Sequence, residues 1–318
     1  MGNALPRDFR PDYLLRLPLP LAQLYSRSYN AKGPRERHDS AFRLFEATIK
    51  LTGSVLVAAY DRAIEDGADR ARDLDRLIGC LARPQLGHWV ALVRDLAGHF
   101  AQVSAGASHP LGHLDEQLAR ARTRCPALLA LYRRIKNGPD GQPAGDQSCS
   151  VRQLFDALVQ YRNIVMSHGA ERNVAFYAND LGPLLFAAAN ELLEEGFLDM
   201  LGPSGTRLIY LSERRALNAK TEEIARKELL GLQSVRLDPL IMETRQAAAL
   251  VPPSRVALQW PGVPLPVLLD PFLMYRESEL TEDVLFLNGE GGVKGVNYLS
   301  YTTGKWEWDV QQAESLQR

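Results

Sequence analysis

Apolar residues recur at intervals of three and four through residues 1–200 and then give way to alternation, so the chain reads as helical first and β-rich afterwards. The strongest helical pattern covers residues 35–66, where Phe42, Phe45, Ile49, Leu56 and Tyr60 sit at helical spacing and Gly53 is the one weak point. Pro34 suits the first turn of this helix, and Leu21, Leu24 and Tyr25 predict a short helix before it that ends near Gly33. Further helices are predicted over residues 73–81, 84–103, 114–124 and 126–136, the second with Trp89, Val93, Leu96 and Phe100 on one side. Residues 137–150 have the composition of a loop or an insertion. Helices over 151–169 and 172–197 complete a bundle, the last kinked or split at Pro183. Its Glu191, Glu194 and Glu195 read as a solvated face.

The period changes near Leu201-Gly202-Pro203-Ser204-Gly205. Residues 207–211 read as a strand, 220–230 as a helix or a charged edge strand, and 235–240 are ambiguous. The clearest strands, 284–287, 296–301 and 305–308, predict a three-stranded meander joined by glycine-rich turns. The fold class is therefore α+β: an N-terminal all-α helical bundle over residues 1–200, followed by a smaller β-rich domain over residues 201–318.

One residue breaks the pattern it sits in. On a helix turning about 100° per residue, Val151, Leu154, Phe155, Leu158, Val159, Val165 and Met166 share a broad face, and Arg162 falls in its middle. A guanidinium in an apolar stripe costs free energy unless it is paired or lines a polar cleft. Ser150 and Gln153 form a capping signal at the start of this helix, Gly169 is the expected residue past its end, and Asn163 and His168 follow the arginine. One reading pairs Arg162 with a bundle carboxylate such as Glu46 and leaves His168 beside the carbonyls at the helix end. The other makes these side chains a ligand site.

Arg162 with the polar Asn163 beside it, five residues before His168 and then Gly169, at the end of an amphipathic helix, resembles the signature of HEPN domains. The resemblance spans a helical context of roughly residues 15–200 and implies a bundle that works as a homodimer and binds RNA. It also implies a metal-independent ribonuclease with Arg162, Asn163 and His168 as catalytic residues and no cofactor, in a bacterial toxin–antitoxin or antiphage role. In that chemistry the ribose 2′-oxygen attacks the adjacent phosphorus and expels the 5′-oxygen. His168 moves protons near neutral pH, Arg162 holds the phosphate oxygens, and Asn163 orients the histidine or the phosphate. On an ideal helix Arg162 and His168 diverge by roughly 120°, so dimerisation or local unwinding is needed to aim both at one phosphate. The alternative is a non-catalytic HEPN-like module that dimerises or docks a protein partner in a signalling or defence complex, with the β-rich domain recognising that partner.

Charge narrows the choice. There are 24 basic against 23 acidic residues over 1–200 and 13 against 15 beyond, so neither region is a basic platform for long nucleic acid. Cys80, Cys125 and Cys149 share no metal-binding spacing and read as the reduced thiols of a cytoplasmic protein. The N-terminus lacks the continuous apolar core of a signal peptide, and no run approaches the roughly 18 apolar residues of a membrane span. Gly289, Gly291, Gly292 and Gly295 imitate a phosphate loop but precede a strand, which favours a hairpin turn. His88 and His99 lie near one helical face without further ligands, and His109 and His113 fall in a loop. Tyr298, Tyr301, Trp306 and Trp308 alternate along two strands and read as sheet core rather than a stacking surface.

Overall fold

Helix-forming periodicity and two-residue alternation follow one another along the chain, giving an α+β fold in which a helical region precedes a β region with two antiparallel sheets. The computed structural model describes residues 9–103, 109–137, 147–167, 172–195, 201–250 and 254–310. The helices are α1 (Tyr13–Arg16), α2 (Leu19–Asn30), α3 (Pro34–Glu65), α4 (Arg72–Gly79), α5 (Leu86–Val103), α6 (Leu114–Ala119), α7 (Pro126–Asn137), α8 (Val151–Tyr161) and α9 (Leu181–Glu194). Close contacts group Met1–Pro11, Leu24–Gly53 and Gln85–Met200 into one compact unit, and Asp12–Gln23, Ser54–Pro84 and Leu201–Arg318 into a second.

In the first unit α7 packs against α8 and α9, and α5 against α6 and α8. Its core includes Phe42, Phe45, Trp89, Phe100 and Phe155, all buried. The glycine that weakens the helical pattern of α3 is a contact point: a Cβ at Gly53 would lie 2.7 Å from Cε3 of Trp89, so the indole rests directly on the helix backbone. Pro183 falls in the first turn of α9, which follows directly on a π-helical turn over Phe176–Asp180. Glu191 is not part of a solvated face. Its two carboxylate oxygens accept the backbone N–H groups of Ala127 (2.9 Å) and Leu128 (2.8 Å), capping α7 where Pro126 leaves no side-chain cap. Glu194 and Glu195 pair with Arg10 and Arg120.

In the second unit β1 (Arg207–Ala216), β2 (Thr221–Glu228), β3 (Val235–Glu243), β4 (Arg255–Gln259) and β5 (Val267–Leu268) form a sheet of order β3-β2-β1-β4-β5, with α10 (Thr244–Ala249) after β3. One face buries Ile209, Leu211, Ile224, Met242 and Ala257, with Ala247 and Leu250 packed among them. The ambiguous stretch at 220–230 is thus an internal strand, not a helix or an edge. Its charges are tolerated because Glu222 pairs with Arg214 across the strands and Lys227 with Glu277. The predicted meander gains a fourth strand: β6 (Leu273–Glu277), β7 (Glu282–Glu290), β8 (Val296–Leu299) and β9 (Trp306–Asp309), paired in that order. Gly289 lies in β7 beside a register shift, and Gly291, Gly292 and Gly295 lie in the β7–β8 connection. The aromatic group splits, Tyr298 and Tyr301 being buried while Trp306 and Trp308 on the edge strand β9 are 66% and 45% exposed.

Candidate functional site

Helix α8 starts as its sequence predicts. The Ser150 hydroxyl accepts from the Gln153 backbone and the Gln153 side chain accepts from the Ser150 backbone, so both ends of the cap are closed. The apolar face then runs through Val151, Leu154, Phe155, Leu158 and Tyr161, all buried. It does not continue as α-helix to residue 169. Residues Arg162–Ser167 form a π-helical turn, in which each N–H reaches back five residues instead of four. The wider turn rotates later side chains off the α-helical face: Ile164 is 62% exposed and Val165 only half-buried. Arg162 consequently lies at the margin of the core, half-exposed, rather than in the middle of the stripe, and Asn163 is exposed. His168 and Gly169 lie outside the described residues.

Arg162 meets Glu46 of α3. Its Nε donates to Oε1 at 2.8 Å, with 38% of the arginine side chain and 11% of the glutamate side chain accessible. Among the described residues the guanidinium makes no other hydrogen bond, so the carboxylate takes one donor and the two Nη groups are left for a ligand or solvent. One turn along α3, Lys50 is buried, and burial pushes its ammonium down to about 8. Glu46 opposes that shift and the nearby Arg162 adds to it. At neutral pH Lys50 is therefore still charged, so Arg162 and Lys50 lie together beside Glu46.

A second polar chain ends at the residue before Arg162. His38 of α3 is fully buried, with Nδ1 2.8 Å from Oδ1 of Asp39 and Nε2 2.6 Å from the hydroxyl of Tyr161. A carboxylate only accepts, so Nδ1 donates to Asp39, and Nε2 pairs with the Tyr161 hydroxyl. The imidazole is also surrounded by the rings of Tyr161, Phe176 and Tyr177, at centroid distances of 5.9, 6.2 and 5.1 Å. Phe176 and Tyr177 open a second π-helical turn, Phe176–Asp180, immediately before α9. Sequence reasoning missed His38, Asp39, Lys50 and Tyr161. The signal was present, because His38, Glu46 and Lys50 recur at multiples of four on a helix whose neighbours at Phe42, Phe45 and Ile49 are apolar.

The remaining candidates are structural. Among the described residues no group of three or more His, Cys, Asp or Glu is placed to hold a metal ion. His109 stacks on Phe100 at 4.3 Å, and burial pushes its imidazole down to about 4. No disulfide joins Cys80, Cys125 or Cys149. A cleft of about 620 Å³ in the second unit is lined by Arg226, Lys227, Arg236, Glu213, Glu223 and Glu277, cations and carboxylates in equal number. No helix among the described residues is long and apolar enough to cross a membrane. No family model, curated protein or solved structure matches the chain.

Proposed function

We propose that this protein is a HEPN-like RNA-binding protein that cleaves RNA without a metal, as a cytoplasmic homodimer in a bacterial defence or toxin-type system. One observation carries the reading. Arg162 is tethered by Nε alone, beside a buried lysine and an exposed Asn163, so its outer edge presents paired donors of the geometry that grips a phosphate. In the proposed reaction a base takes the proton of the ribose 2′-hydroxyl, the 2′-oxygen bonds to phosphorus, and the P–O5′ bond breaks. The departing 5′-oxygen takes a proton, and the product is a 2′,3′-cyclic phosphate. Arg162 stabilises the charge that builds on the phosphoryl oxygens, Asn163 orients a phosphate oxygen or the imidazole, and His168 is the proton carrier that the HEPN resemblance supplies.

Incubation with RNA in excess EDTA is the test. The expected result is cleavage that leaves cyclic phosphate ends and is lost in His168→Ala, with the circular dichroism spectrum unchanged. Intact RNA, or cleavage that survives in His168→Ala, would remove the nuclease reading. The second reading, a docking module without catalysis, is favoured by the two indoles that β9 leaves exposed.

A further inference from the structure

We infer that His38 is a positioning residue for Arg162, acting through Tyr161; this rests on the phosphate-binding reading of Arg162 given above. A π-helical turn is a strained alternative to the α-helix and persists where tertiary contacts hold it. Here the contact is specific. Tyr161 is the last α-helical residue of α8, it is buried, and its hydroxyl is held by His38 at 2.6 Å. The next peptide begins the π turn and carries Arg162, whose Nε must reach Glu46 of the same helix α3 that supplies His38. Tyr161 and Arg162 are therefore pinned to α3 at two points eight residues apart, His38 and Glu46, which lie on one side of that helix. With both points fixed the guanidinium has one orientation; with only Glu46 it can pivot about a single hydrogen bond.

The imidazole suits this task. Its second nitrogen is committed to Asp39 at 2.8 Å, which fixes the ring plane, so Nε2 faces the Tyr161 hydroxyl in a constant direction. The same ring packs against Phe176 and Tyr177, so the two π turns that bracket residues 168–171 share one anchor.

The test removes one oxygen. Tyr161→Phe keeps the ring and its contact with Phe42 and deletes the hydrogen bond to His38. Binding of a short oligonucleotide, 2′-deoxy throughout so that it offers phosphates without an attacking hydroxyl, is measured for the wild type, Tyr161→Phe, Arg162→Ala and the double variant. Positioning predicts a fall of about two- to tenfold for Tyr161→Phe, the equivalent of one neutral hydrogen bond, and no fall when Arg162 is already absent. An equal loss in both backgrounds, or none in either, overturns the inference. A ligand-free arm separates this from the parent reading: the Nε–H resonance of Arg162 should shift or broaden in Tyr161→Phe, and an unchanged resonance overturns the inference. If Arg162→Ala leaves affinity unaltered, the phosphate-binding reading fails and the resonance alone decides whether His38 positions the guanidinium.

Discussion

Replacing Arg162 by alanine is expected to lower RNA cleavage by ~10²-fold or more while the protein stays folded. The rate effect follows from removing preorganised donors aimed at oxygens that gain charge in the transition state. The survival of the fold follows from geometry. An ion pair in which the arginine is 38% accessible contributes about 1 kcal/mol or less. The glutamate left behind also keeps a cation within reach, because Lys50 lies one turn further along α3. Glu46→Gln should act in the opposite direction: its amide oxygen still accepts from Nε, so the second pin stays, but the carboxylate charge no longer opposes a phosphate, and oligonucleotide affinity rises. The carboxylate also raises the Lys50 pKa, so the substitution lowers it and the gain is read on the acid side of neutrality. Affinity and rate are compared by fluorescence anisotropy and by gel assay. If Arg162→Ala unfolds, or if both variants bind as the wild type does, the pair is a structural bond and the docking-module reading takes precedence.

The second large effect is expected at Gly182. A Cβ there would stand 2.2 Å from the carbonyl oxygen of Tyr177 and 3.6 Å from Cβ of His38. Tyr177 is five residues earlier, the hydrogen-bonding interval of a π turn, so the tightened approach of backbone to backbone is what the turn requires. Gly182→Ala should cost about 3 kcal/mol, the upper part of the usual range for overpacking, because a carbonyl cannot step aside as a side chain can. The control is Gly98→Ala in α5, where the new methyl meets Asp115 at an ordinary 3.5 Å and the better helix former should stabilise by about 1 kcal/mol. Urea titrations of the two variants should move their midpoints in opposite directions. A Gly182→Ala midpoint equal to that of the wild type would mean that the second π turn is not a constraint on α9.

What the sequence reveals about this fold is what is encoded locally. The long α3, the Ser150–Gln153 cap and the β7–β9 meander announce themselves through period, capping chemistry and turn glycines, each readable within a few residues. Residues 220–230 are ambiguous because their charges are neutralised by Arg214 and Glu277, partners that only the tertiary structure supplies. The end of α8 is misread for a similar reason. Nothing in the stretch from Arg162 to Ser167 marks a π turn, since the residue before it is held by His38, more than a hundred residues earlier. At the site, Arg162 is legible as an exception to an apolar stripe, and Glu46 as one acceptor it can reach. The row of His38, Glu46 and Lys50 along α3 is present in the sequence, but its turning inward is not, because a polar residue in a helix is most often at the surface. The alternating aromatics of the last strands give a sheet, but which of them end in the core depends on β9 being an edge.

That edge gives the chain a built-in optical reporter. Of its four tryptophans, Trp89 and Trp260 are enclosed, whereas Trp306 and Trp308 face water. Emission should therefore resolve into a blue component that iodide hardly quenches and a red one that it quenches readily. A protein that docks on β9 would shield the red component alone. The spectrum of the unlabelled chain can thus read occupancy of that edge directly.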